Sequence, residues 1–178
     1  MHLPEVGDPE PTGTQNQQGT PHQVNDPSEQ SRSEAVAIRQ LVDELFITTD
    51  LKDWTAVRAL FTDGPIEVDM SSLVGGGPVQ ITADQLIDGF RAGLHSGKVS
   101  HHLATNYRIE VHGDRAEVWA HGYAWNRVPA LPATSDLWET WGNYRLTCRR
   151  VGGAWRLEGF RYYSKLTRGN DAVRTHTR

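Results

Sequence analysis

Apolar positions recur with a three-and-four spacing at Ala35, Ile38, Leu41, Val42, Leu45 and Phe46, which predicts a helix with one face to bury, opening after Ser33 as N-cap. The polar run Thr48-Thr49-Asp50 predicts its break. Asp53 is placed to cap a second, shorter helix carrying Trp54, Val57, Leu60 and Phe61, and Asp63-Gly64-Pro65 stops it. Ile66, Val68 and Met70 alternate with Glu67 and Asp69 at the period of a half-buried strand, and Gly75-Gly76-Gly77-Pro78 then reads as a loop. Thr82 caps a third helix with Leu86, Ile87, Phe90 and Leu94 on its inner face, ending near Gly97.

Beyond Gly97 the period changes. Val99 to Val111, Arg115 to Val128, Leu137 to Val151 and Ala154 to Leu166 are rich in β-branched and aromatic residues and read as long strands, with turns at His112-Gly113-Asp114 and Gly152-Gly153. The remaining connection, Pro129 to Ser135, suits a loop over a pocket mouth or a subunit contact. Helices first and a strand meander afterwards predict an α+β domain. Strands this long curl. The expected form is a cone-shaped, curled antiparallel (mixed) sheet closed by three N-terminal-side helices, with a cavity inside as the default ligand site.

Composition sets the boundaries. Residues 1–32 are mostly Pro, Gly, Gln, Asn, Ser, Thr and Glu and carry no aromatic residue, so they cannot bury enough apolar area to offset ordering entropy. A disordered tail is expected there, followed by one domain over 33–168 and a flexible C-terminal tail over 169–178. The net charge of -4 creates no field that would gather nucleic acid. The single Cys148 excludes an internal disulfide, and no Cys/His cluster has structural-zinc spacing, so no metal is expected. No apolar run reaches the ~20 residues of a membrane span, and the N-terminus lacks the order of a signal peptide, so the expected place is the cytoplasm.

Several local patterns resemble one family. They are Asp50 followed by Trp54 and Leu60-Phe61, the strand Val68-Asp69-Met70-Ser71-Ser72-Leu73, His102-Leu103-Ala104-Thr105-Asn106, Gly113-Asp114-Arg115-Ala116 and Gly153-Ala154-Trp155-Arg156. With the order of elements, they resemble the SnoaL-like and ketosteroid-isomerase-like branch of the nuclear transport factor 2-like superfamily. In members that eliminate or isomerise, such as scytalone dehydratase and hexachlorocyclohexane dehydrochlorinase, an Asp at the end of helix one and a His on the first long strand form a catalytic pair. Asp50 and His102 match those positions. The resemblance implies a homodimeric or related oligomeric enzyme without metal or organic cofactor, acting on a small, largely apolar molecule.

A histidine exchanges protons near neutral pH, and a carboxylate on its other ring nitrogen fixes the tautomer and stabilises the imidazolium. Asp50 could equally be a plain helix-end acid, and His102 a histidine hydrogen-bonded across the sheet. Strict alternation through Tyr107, Ile109 and Val111 places His101, not His102, on the apolar face. A one-residue bulge near Ala104 to Asn106 would reverse that phase. His101 is therefore the rival base, and Asp69 a minor second acid. Tyr123, Trp125, Trp141, Tyr144 and Tyr162, with Trp54, form the pool for substrate contact, and Arg150 could hold an anionic or leaving group. Cys148 reads as a packing residue. The expected function is a cofactor-independent lyase or isomerase (dehydratase, double-bond isomerase or cyclase). The alternatives are a non-catalytic ligand-binding or assembly domain, and an epoxide hydrolase in which Asp50 and another acid such as Asp69 activate a water. A homodimer on the outer sheet surface is expected, with Trp119 and Trp138 among its exposed aromatics.

Overall fold

A computed structural model describes residues 27–129, 131 and 135–177. The expected tail therefore lies outside the described residues up to position 26. From Pro27 the chain is already helical: α1 spans Pro27–Leu51. Proline suits a first helical turn and Glu29 complements the helix dipole there, so the helix opens ahead of Ser33. Ser33 is not the cap; its hydroxyl donates to the Gln30 carbonyl at 2.9 Å. Nor does Thr48 break the helix, because its hydroxyl donates back to the Glu44 carbonyl at 2.6 Å. Lys52, at φ 62°, ends it and leaves Asp50 in the last turn.

Asp53 caps α2, Trp54–Ala59, by accepting from the Ala56 N–H. The strand expected to run on to Leu73 stops earlier: β1 is Ile66–Asp69, and Ser71–Val74 forms one helical turn, α3. The Asp69 carboxylate causes this by accepting from both the Ser71 N–H (3.0 Å) and hydroxyl (2.6 Å). After the glycine loop comes a short strand that alternation alone does not reveal, β2 at Val79–Ile81, paired antiparallel to β1. Thr82 and Gln85 form a reciprocal capping box on α4, Ala83–Gly93.

The long strands are β3 Val99–His112, β4 Arg115–Arg127, β5 Leu137–Val151 and β6 Ala154–Gly169. They form a curled, unclosed sheet in the order β2-β1-β6-β5-β4-β3, antiparallel throughout except where β1 runs parallel to β6. Residues 171–175, expected in a flexible tail, form α5, Asp171–Thr175, and Val173 is fully buried against Val128 and Trp138. One apolar residue at the right turn of a short helix suffices to dock it.

The main core joins Ile38, Leu41, Val42, Leu45 and Phe46 of α1 to the concave sheet face, including Val118, Tyr144, Leu146, Leu157 and Phe160. The phase of β3 decides what else faces inward. Ser100 is buried and His102 and Ala104 are half-buried. The pairing of β3 with β4 then shifts between Thr105 and Arg108, where Asn106 takes φ 56°, and Tyr107, Ile109 and Val111 become the inward set.

Candidate active site

The helix end and the strand carry the two ends of one hydrogen-bonded array. Asp50 Oδ1 lies 2.7 Å from His102 Nδ1, and Asp50 Oδ2 accepts from the His102 backbone N–H at 2.7 Å. Ser100 donates its hydroxyl to Asp50 Oδ1 at 2.8 Å and accepts from Lys52 Nζ at 2.7 Å. The order Lys52, Ser100, Asp50, His102 follows from period two on β3 and from the helix end opposite. Burial works to raise the Asp50 carboxyl, but the hydrogen bonds and charge of His102, with the Ser100 hydroxyl, outweigh it and hold Asp50 below its ordinary value. An ionised Asp50 requires the proton on Nδ1, which leaves the Nε2 lone pair as the reactive one. The Phe46 ring stacks on the imidazole at 5.9 Å and fixes its plane.

His102 opens onto a cavity of about 390 Å³. Its walls are mostly apolar, from Leu45, Phe46, Leu86, Phe90, Trp138 and Phe160, with polar groups from Thr49, Lys98, Asn126, Thr140, Tyr144, Tyr162 and Arg174. Such a size and mixture suit a small organic molecule held by few polar contacts. Burial pushes the Tyr144 phenol well above its usual value, so it stays a donor. Tyr162 Oη is 3.0 Å from the Thr140 hydroxyl. The Tyr144 ring lies across the sheet where Gly122 leaves room: a Cβ there would sit 2.4 Å from Tyr144 Cε2.

The remaining expected site residues separate cleanly. Tyr144 and Tyr162 line the cavity; Trp54, Tyr123, Trp125, Trp141 and Arg150 do not. Trp54 packs on the core from α2. Tyr123, Trp125 and Trp141 lie on the opposite sheet face, where Tyr123 donates to Glu139 and Trp141 sits under Arg168. Arg150 is at the far end of the sheet, paired with Glu34 at 2.7 Å and stacked on Trp155. His101 is about half exposed, and its Nδ1 is 3.8 Å from Asp50 Oδ2, outside hydrogen-bond range. Asp69, occupied by Ser71, does not line the cavity, so it is not placed to act as a second acid there. Trp138, expected on the outer surface, is a buried cavity wall. Cys148 is buried, and burial pushes its thiol to about 12, too high for a nucleophile.

Lys98, Asn126 and Arg174 are cavity residues that the sequence reading missed. Lys98 stands in phase with Ser100 and His102, so a correct phase for β3 would have found it. Among the described residues, no group of three or more His, Cys, Asp or Glu is placed to hold a metal.

The family model for the SnoaL-like domain matches residues 30–161. No curated protein matches. Among solved structures, the Kfla4162 protein from Kribbella flavida superposes with a TM-score of 0.74 at 23% identity, covering 78% of this chain and 95% of that one. A type 2 hexachlorocyclohexane dehydrochlorinase (LinA) superposes at 0.65 with 15% identity, covering 82% and 95%. Aln2 from a Streptomyces species does so at 0.60 with 18% identity, covering 74% and 91%. At these identities the structures share the fold.

Proposed function

We propose that this chain, which belongs to the SnoaL-like domain family, is a cofactor-independent lyase or isomerase acting on a small, largely apolar molecule. The observation that carries the reading is the 2.7 Å contact of Asp50 with His102 Nδ1 at the cavity wall. His102 Nε2 takes a proton from an activated carbon, and the C–H electron pair moves into a new double bond. In elimination that pair displaces a leaving group from the adjacent carbon, and a leaving hydroxide takes the proton and departs as water. In isomerisation the proton returns from Nε2 to a different carbon of the same conjugated system. Asp50 stays ionised throughout and stabilises the imidazolium. Tyr144 and Tyr162 supply phenol donors to oxygen that gains charge. The dehydrochlorinase among the structural neighbours performs, by its name, an elimination.

The test is a screen of enones, hydroxy-ketones and epoxides against wild type, Asp50→Asn, His102→Ala and the double variant. Each single substitution is expected to lower kcat/KM by about 10²–10⁴-fold, with the double variant little worse, because groups that act as one unit are non-additive. Additive losses, or activity that survives His102→Ala, would refute the paired mechanism. We further propose a homodimer through the outer sheet face, where Trp119 is 38% exposed and stacks with Tyr163.

A further inference from the structure

Lys98 has no role in the chemistry above, yet it lines the same cavity and is only 2% exposed. Its ammonium donates to the Arg174 carbonyl at 3.2 Å, and among the described residues no carboxylate forms an ion pair with it. Burying a charge without a counter-ion is costly, so its place in a cavity wall calls for a ligand that supplies one. Lys52 differs, because it donates to Ser100, which is bonded to Asp50.

The surroundings point the same way. Asn126 pairs with Ser100 across the β3–β4 ladder, which puts it on the inward face diagonal to Lys98. Asn126 is 7% exposed, lines the cavity and has a buried Oδ1 with no hydrogen-bond partner among the described residues. That Oδ1 is an acceptor and needs a donor; with the amide turned over, which leaves its shape unchanged, the same position presents Nδ2–H as a donor to a ligand oxygen. Arg174 lines the same region from α5, while Lys52 adds positive charge from the end of α1, and His95 and His176 pair with each other at 2.8 Å. Burial first, then the charges of Lys52 and Arg174, bring the Lys98 ammonium down to about 8, which still leaves it charged at neutral pH.

We infer that Lys98 and Asn126 form an acidic-oxygen subsite, so that the ligand of this cavity is an apolar molecule bearing one carboxylate or ionised phenol. This deepens the reading of the cavity as a substrate site and rests on it. Lys98 and His102 lie four residues apart on one face, about 13 Å between Cα atoms at strand rise. Their long side chains close part of that span, so the acidic oxygen sits at one end of the ligand and the acidic C–H at the other.

Calorimetric titration with 2-naphthoate and 2-naphthamide, equal in shape and differing in charge, tests the subsite. Wild type is expected to bind the acid at least about tenfold tighter than the amide, which corresponds to 1.4 kcal/mol. Lys98→Met should abolish that preference and Lys98→Arg should keep most of it. Lys98→Met is also expected to raise Tm, because an uncompensated buried charge is replaced by an apolar chain of similar length. Equal binding of acid and amide by wild type would overturn the subsite whatever the variants do, as would a preference that survives in Lys98→Met. His102→Ala separates the two readings. A preference retained there with no turnover of any screened substrate by wild type would sink the lyase or isomerase reading and leave the subsite standing.

Discussion

Asp50 shows how much one residue can be asked to do. It closes the last turn of α1, accepts three hydrogen bonds from β3 and fixes the tautomer of His102. Its carboxyl is held below the ordinary value, so the folded state binds its proton less readily than the unfolded chain does. The resulting stability is complete above the unfolded value near 3.8 and disappears as pH falls through the lower folded one. Asp50→Asn is expected to cost about 1–3 kcal/mol at pH 7, as bonds to a charged acceptor weaken, and to flatten the acid limb of the stability profile. Urea unfolding from pH 7 down to about pH 2 would check both; an unchanged acid limb would exclude Asp50 as a stabilising carboxylate. Asp50 is legible in the sequence because helix spacing and its family resemblance agree on it. The choice between His101 and His102 is not, since periodicity favours His101 and only the shift near Asn106 reverses it. Lys98 escapes for the same reason.

At the scale of elements, the α1 face, the α2 and α4 caps and all four long strands are readable, because each rests on a local period or a local cap. What escapes is non-local or very short. β2 is three residues without a buried position and exists only by pairing with β1. α5 is held by Val173 in a crevice made of Val128 and Trp138, distant in sequence. The sheet also depends on absent side chains. A Cβ on Gly142 would fall 2.3 Å from the Tyr163 carbonyl and 2.8 Å from the Tyr162 ring, at a shift in the β5–β6 pairing. Gly142→Ala should therefore destabilise by about 1–3 kcal/mol through overpacking, and displace Tyr162 from the cavity. Gly64→Ala, with nothing within 4 Å of the added atom, is the matched control. Equal melting temperatures for the two variants would contradict this account.

Taken whole, the molecule is one sheet read on two sides. The inner face holds the cavity and the outer face carries Trp119, Tyr123, Trp125, Trp141 and Tyr163, with Arg145 over Trp119 and Arg168 over Trp141. Exposed aromatic area of this kind suits association between copies. Light scattering at micromolar concentration should give twice the chain mass, and Trp119→Glu should shift it towards the monomer; a wild-type monomer would end the dimer proposal. Cavity and outer face are interleaved residue by residue, Ala124 and Asn126 inward, Tyr123 and Trp125 outward. The irregularity at Thr105 to Arg108 therefore acts as a parity bit for β3. Removing one residue there would leave Tyr107, Ile109 and Val111 anchored in the core while exchanging odd for even upstream, turning His101 toward Asp50 and Lys98, Ser100 and His102 away. A single codon lost or gained at that point could re-address the whole set of polar groups without altering any of them, so homologous chains with different chemistry can differ here by length rather than by residue type.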